Sequence, residues 1–162
     1  MSRGHGSTVA LAGLTAVAVL AVDQAAKVAL RASLDPGDEK EVLGTFLQLT
    51  YVRNTGVAFG QFSGSGAVVA LLVAAAVAGL LWYFFTHLGT PLIWLPAGMV
   101  VGGAIGNLVD RVGEGAVTDY VKFPHWPAFN VADAAITVGV ILMVVLAELD
   151  SRRRRREAAD AH

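Results

Sequence analysis

Apolar residues in this chain are gathered into long blocks, and the polar ones fall at the block ends. Four blocks, Thr8 to Leu30, Ala67 to Phe85, Pro91 to Val109 and Val131 to Ala147, stand out. Each approaches the roughly 20 residues that an α-helix needs to cross a hydrocarbon core of about 30 Å. The pattern predicts an all-α membrane bundle of four transmembrane helices within one integral-membrane domain, residues 1–150, followed by a basic tail, residues 151–162. Between the first two blocks, Asp35-Pro36-Gly37 signals a turn, and the β-branched and aromatic run Thr45 to Val52 reads as a strand. Between the last two, Val117, Asp119, Val121 and Phe123 recur at a spacing of two, a second strand. Together they predict small extracytoplasmic β-structure, a cradle-like saddle over one end of the bundle. The His87 to Thr90 connection is too short to be a domain, and no internal repeat is evident, which weakens an inverted-repeat transporter.

Composition supports the membrane assignment. Of 162 residues, 55% are hydrophobic and 15% charged, with a mean hydropathy of +0.59. A soluble domain carries about 25% charged residues. Cysteine is absent, which removes disulfides, thiolate metal sites and cysteine nucleophiles. The net charge is −1 and the basic residues form no groove-lining patch, so no nucleic-acid partner is expected. Arg3 before an apolar core is a feature of cleavable signal sequences, but the run continues through Asp23 and Lys27 without a small-x-small site, so it is expected to stay as a span.

Positive charge sets the expected orientation. Arg152 to Arg156 form an unbroken basic run just past the fourth block, which places that end in the cytoplasm. An even number of spans returns the amino terminus to the same side. Arg31, Lys40, Arg53, Arg111 and Lys122 oppose this, but they are dispersed among acids such as Asp38, Glu39 and Glu41. The tail itself reads as a disordered anchor.

With those directions, the polar groups converge. Asp23 and Lys27 lie toward the outer end of the first span, Asn107, Asp110 and Arg111 at the outer end of the third, and Asn130 and Asp133 at the outer start of the fourth. Asn54 and Asp119 come from the outer segments, while the inner halves of the spans are bare of charge. Several of these have plain structural readings. Asp23 with Lys27 suits a local i,i+4 ion pair, and Asp110 with Arg111 suits a helix end whose side chains reach the headgroups. Asn54, Asn107 and Asn130 suit turns and caps, and Gly102, Gly103 and Gly106 suit close helix packing. Asp133 has a possible role as a cap at the start of its helix. Asp119 and Asp133 nevertheless lack a basic partner in their own segments, and a carboxylate near hydrocarbon is costly to ionise. Two such acids sharing one proton is the chemistry of an aspartic protease. Of the histidines, His5 and His162 are terminal and His87 is on the other side, so His125 is left alone, too few for an imidazole metal site. Ser63 and Ser65 lie in a glycine-rich turn without a nucleophile-elbow pattern.

The motifs that carry these residues resemble the lipoprotein signal peptidases, also called signal peptidase II. They are Asp23 with Lys27; Asn54-Thr55-Gly56 with Ala58-Phe59; Gly102 to Leu108 with Asp110-Arg111; Val117 with Asp119; and Phe129 to Asp133. Val57 and Tyr120 depart mildly from the family's pattern, and the arginine run lies outside it. The resemblance implies a four-span aspartic endopeptidase of the bacterial cytoplasmic (inner) membrane, multi-pass, with both termini cytoplasmic and the active site near the outer face. It would remove signal peptides from prolipoproteins, cutting before a diacylglyceryl-modified cysteine, with no metal or cofactor. Membrane lipids and globomycin-type inhibitors are further implied partners. The matching positions imply Asp119 and Asp133 as the catalytic pair, Asn54, Asn107, Arg111 and Asn130 as substrate-positioning residues, and Asp23 with Lys27 as a supporting pair. An apolar groove between helices is expected to receive the signal helix and lipid chains. A small transporter or proton channel would instead need acids near the bilayer midplane and polar residues continuing inward, and a scaffold protein leaves the paired acids unexplained.

Overall fold

A computed structural model describes residues 4–55 and 66–160, with side chains from Ala75 onward in the second helix. The Gly56 and Ala58-Phe59 part of the asparagine motif, together with Ser63 and Ser65, lies outside the described residues. Four helices and a three-stranded sheet follow in the order α1 (His5–Arg31), β1 (Glu39–Leu43), β2 (Leu47–Asn54), α2 (Gly66–Thr86), α3 (Trp94–Glu114), β3 (Val117–Lys122) and α4 (Val131–Asp160). Among the described residues, α1 and α4 are long and apolar enough to cross a membrane.

The third helix is the hub, and small residues make it so. A Cβ added at Gly98 or Gly102 would lie 2.5 Å from the carbonyl oxygen of Ala12 or Ala16, so α1 packs against bare backbone there. On the other side, a Cβ at Gly103 would meet the Ala132 carbonyl at 2.5 Å, and Gly139 of α4 lies against Val100 and Pro96. These contacts show α1 running parallel to α3 and α4 antiparallel to it. The packing role expected for Gly102, Gly103 and Gly106 is therefore observed. The second helix joins through Phe84, which is buried with Ile93, Ala97 and Met143. Outward-facing positions remain apolar, with Leu14, Val17 and Val28 on α1 and Ile141, Val144 and Leu149 on α4 exposed. A water-soluble bundle hides such side chains.

Several boundaries differ from the sequence reading. The third helix begins at Trp94, after a turn in which Leu92 has φ 63°, and continues past Val109 to Glu114. Gly115 ends it in the left-handed conformation (φ 71°), its N–H bonding the Arg111 carbonyl. The fourth helix does not stop at Ala147. It runs through the arginines, which corrects the disordered reading of that tail. Pairs at i,i+4 explain this: Glu148–Arg152 at 2.7 Å, and Asp150–Arg154 and Arg153–Glu157 at 2.8 Å.

The sheet has the order β1-β2-β3 and is antiparallel throughout. Its entry turn is the expected one, with Gly37 at φ 96° and its N–H on the Tyr51 carbonyl. The second strand is shifted from Thr45–Val52 to Leu47–Asn54. The first strand, Glu-Lys-Glu-Val-Leu, has no apolar alternation and is exposed throughout, as suits a charged edge. In β3 the residues from Val117 to Tyr120 are all buried, because both faces of the strand are covered. The register pairs Val52 with Asp119 and Asn54 with Val117, which brings Asn54 alongside Asp119.

Candidate active site

One end of the bundle collects the polar side chains. The last turns of α1 and α3, the first turn of α4, and the strands β2 and β3 all contribute. The simplest element is the start of α4. Asn130 accepts a bond at Oδ1 from the Asp133 backbone N–H (2.9 Å), and Asp133 Oδ2 accepts one from the Asn130 N–H (3.3 Å). This reciprocal pair caps the helix, so the capping role considered for Asp133 is real. It uses one carboxylate oxygen. The other, Oδ1, accepts from Asn107 Nδ2 at 2.7 Å.

Asp119 is 2% exposed and, among the described residues, is held by amides. Its Oδ2 accepts from Asn54 Nδ2 at 3.0 Å and its Oδ1 from Asn130 Nδ2 at 2.8 Å. The Asn130 amide also reaches Asn107 Oδ1 (3.1 Å) and the Thr118 carbonyl (3.3 Å). Asn107 and Asn130 thus link both carboxylates through a continuous chain of hydrogen bonds. Burial pushes the Asp119 carboxyl up to about 6; the charge of Asp133 adds to this, while the bonds from Asn54 and Asn130 oppose it. A proton held near neutrality beside a second carboxylate is what general acid–base chemistry requires.

Asp23 and Lys27 form the ion pair the sequence predicts, at 2.8 Å, with both side chains fully buried. The pair is not merely local. Lys27 Nζ also meets Asp110 Oδ2 (2.9 Å) on α3 and donates to Asn107 Oδ1 (3.2 Å). Its three N–H groups therefore have three acceptors. Asp23 Oδ1 accepts from the Ala132 N–H in the first turn of α4 (2.9 Å), so this acid ties α1 to α4. A Cβ at Gly106 would sit 2.6 Å from Asp23 Oδ2, which is why glycine stands there.

One reading requires correction. Asp110 does not serve as a headgroup-facing helix end. It is buried, meeting Lys27, Arg31 Nη2 (3.1 Å) and the Thr118 N–H (2.9 Å). Adjacent residues of a helix point in different directions, so Asp110 faces inward while Arg111 is exposed. Arg111 Nη1 donates back to the Asn107 carbonyl at 3.3 Å, and among the described residues it is not part of the network. Sequence reasoning missed Arg31, Thr118 and Gln24, whose side-chain amide donates to Asp23 Oδ2, the Gly106 carbonyl and Asp110 Oδ1, each at 3.2 Å. Arg31 was legible in principle, since Asp23, Lys27 and Arg31 recur at every fourth position along one helix face. Thr118 was not, because only the fold brings it to α1.

Among the described residues no group of three or more His, Cys, Asp or Glu is placed to hold a metal ion. An open apolar groove lies beside the network, lined by Phe46, Phe123, Pro124, Trp126 and Phe129. It is built by the β1–β2 turn and the connection from β3 to α4 rather than by facing helices.

Comparison with known proteins shows the family of this chain. The family model for Signal peptidase (SPase) II matches residues 15–148. The chain is similar to the lipoprotein signal peptidase of Moorella thermoacetica, 40% identical over 80% of this chain and 87% of that protein. It is also similar to the lipoprotein signal peptidase of Cupriavidus taiwanensis, 37% identical over 96% of this chain and 91% of that one. A bacterial membrane enzyme solved by the in meso method at 2.3 Å superposes with TM-score 0.74 at 30% identity, covering 93% of this chain and 92% of that structure.

Proposed function

This chain belongs to the signal peptidase II family, and from that premise we propose that Asp119 and Asp133 are the catalytic pair of a membrane aspartic endopeptidase. The chain removes signal peptides from lipoproteins, cutting before the lipid-modified cysteine. The observation that carries the site assignment is the environment of the two acids. Both are joined through Asn107 and Asn130, and the nearby cations are already engaged by Asp23 and Asp110.

The chemistry follows from one shared proton. Two close carboxylates do not both ionise cheaply, so the pair titrates as a unit. The ionised member takes a proton from water while the protonated one polarises the scissile carbonyl. Water attacks as the protonated member gives its proton to the carbonyl oxygen, and a gem-diol forms. The proton taken from water then passes to the leaving amine while a diol hydroxyl returns its proton to the other carboxylate. Asn54 and Asn130 orient Asp119, and Asn107 orients Asp133, through the bonds given above. Arg111, exposed at the end of α3, is available to a substrate backbone or lipid headgroup.

All four helices cross the membrane in this reading, with both termini inside and the sheet outside. Support comes from the apolar outward faces of α1 and α4 and from the basic run at the far end of α4. The precursor's diacylglyceryl chains and globomycin-type inhibitors would enter from the outer leaflet beside the sheet. A proton channel fits less well, because the acids gather at one end of the bundle.

Incubating the purified protein with a diacylglyceryl-cysteine precursor peptide tests the function. A single cut on the amino side of that cysteine is expected, and an intact peptide after prolonged incubation overturns the assignment. Reporter fusions after Gly64 and after Ser151 should lie on opposite sides of the membrane; matching signals would overturn the topology.

A further inference from the structure

Thr118 precedes Asp119 in β3, so the two side chains leave the strand on opposite faces. The Asp119 face meets the asparagines. The Thr118 face meets Arg31, the last residue of α1. Its Nε and Nη2 both donate to Thr118 Oγ1, at 3.2 and 2.9 Å, and Nη2 also meets Asp110 Oδ1 at 3.1 Å. The Glu114 carboxylate lies 3.7 Å from Nη1. The rest of Thr118 is held as firmly, with its N–H on Asp110 Oδ2 (2.9 Å) and its carbonyl accepting from Asn130 Nδ2 (3.3 Å).

We propose that Arg31 is a positioning residue for the reaction: its guanidinium clamps Thr118 to Asp110 and so fixes the strand that presents Asp119 to Asp133. The clamp needs a planar fork, since one group must serve a hydroxyl and a carboxylate together. It also completes the charge balance of the brace, where Lys27 alone faces Asp23 and Asp110. Arg31 touches neither catalytic carboxylate, and it is partly exposed, so its loss leaves the buried ion pairs standing. The inference rests on Asp119 and Asp133 being the catalytic pair.

The test is steady-state cleavage of a lipid-modified precursor peptide by purified, folded Arg31→Met, Thr118→Val and the double variant, beside the parent and Asp119→Asn. Valine keeps the branched shape of threonine and removes only the acceptor. A modest misplacement of a reacting group costs on the order of ten- to a hundredfold. Each single variant should therefore lose at least about tenfold in kcat, with KM within about threefold of the parent. The double variant should be no slower than the worse single, because both changes break one link. Single variants within about twofold of the parent in kcat, losses that multiply in the double, or a change confined to KM would each overturn the clamp. Asp119→Asn separates the two readings. If it is inactive while the Arg31 and Thr118 variants are normal, the clamp alone fails; if it cleaves like the parent, the catalytic pair fails and takes the clamp with it.

Discussion

Among the described residues, four aspartates belong to the polar network at one end of this bundle, and they divide into two kinds. Asp23 and Asp110 are matched by Lys27 and Arg31, two charges against two, all within 3.1 Å. Asp119 and Asp133 are matched by amides from Asn54, Asn107 and Asn130. The acids paired with cations hold helices together. Among those matched by amides, burial pushes the Asp119 carboxyl up to about 6. In the proposed mechanism the same residue type thus serves architecture in one group and chemistry in the other, and its neighbours decide which.

The widest separation between the two groups should come from Lys27→Met. It leaves Asp23 and Asp110 buried without their shared cation, and breaking a buried pair costs about 3–5 kcal/mol. The expected outcome is loss of folded protein, read as abundance and thermal stability in detergent. Yields equal to the parent would show that the brace is not structural. Gly106→Ala should act in the same direction more weakly, because its Cβ would lie 2.6 Å from Asp23 Oδ2. Overpacking of this kind costs about 1–3 kcal/mol; an unchanged melting temperature would contradict it.

Asp119 should behave in the opposite sense. Its carboxyl is raised to about 6, so its charged form destabilises the fold fully above that pH, and the penalty disappears below the ordinary carboxylate range. Asp119→Asn should therefore gain stability relative to the parent at pH 8, on the order of 2 kcal/mol, and lose that gain as the pH falls to about 4. A difference that does not vary with pH would show the acid is not held in this way. For the parent, kcat/KM should fall as the pH rises through about 6, where the pair loses its shared proton. The smallest effect belongs to the far end of α4. A chain truncated after Leu149 should insert less faithfully or be less abundant, yet cleave at near-normal rate per inserted molecule, because the arginines lie opposite the site. A large loss of turnover would assign them a role here denied.

This division was only half legible in the sequence. The helices were readable because their apolar blocks match the span length, and the direction of each span brought Asp23, Asn107 and Asp133 to one level. Asp119 and Asp133 stood out because their segments lack a nearby cation, and Asn107 and Asn130 link the two. What failed were inferences from adjacency. Asp110 next to Arg111 suggested one shared role, but neighbouring helix positions face different ways, and Asp110 turned inward to Lys27 and Arg31. The polar tail suggested disorder, although Glu148–Arg152 and Asp150–Arg154 already had helical spacing. The edge strand Glu39–Leu43 had no signal of its own, because its order comes from pairing with β2.

The contrast between acids matched by cations and acids matched by amides is tested most directly by single-turnover cleavage of a diacylglyceryl-cysteine precursor peptide by Asp119→Asn and Asp133→Asn. Both should fold, since an amide is nearly isosteric and removes a buried charge. Cleavage should fall by at least about a thousandfold in each, as expected when one member of a catalytic unit is removed, with precursor binding retained in at least one. A well-folded variant cleaving within about tenfold of the parent, free of parent enzyme, would contradict the account.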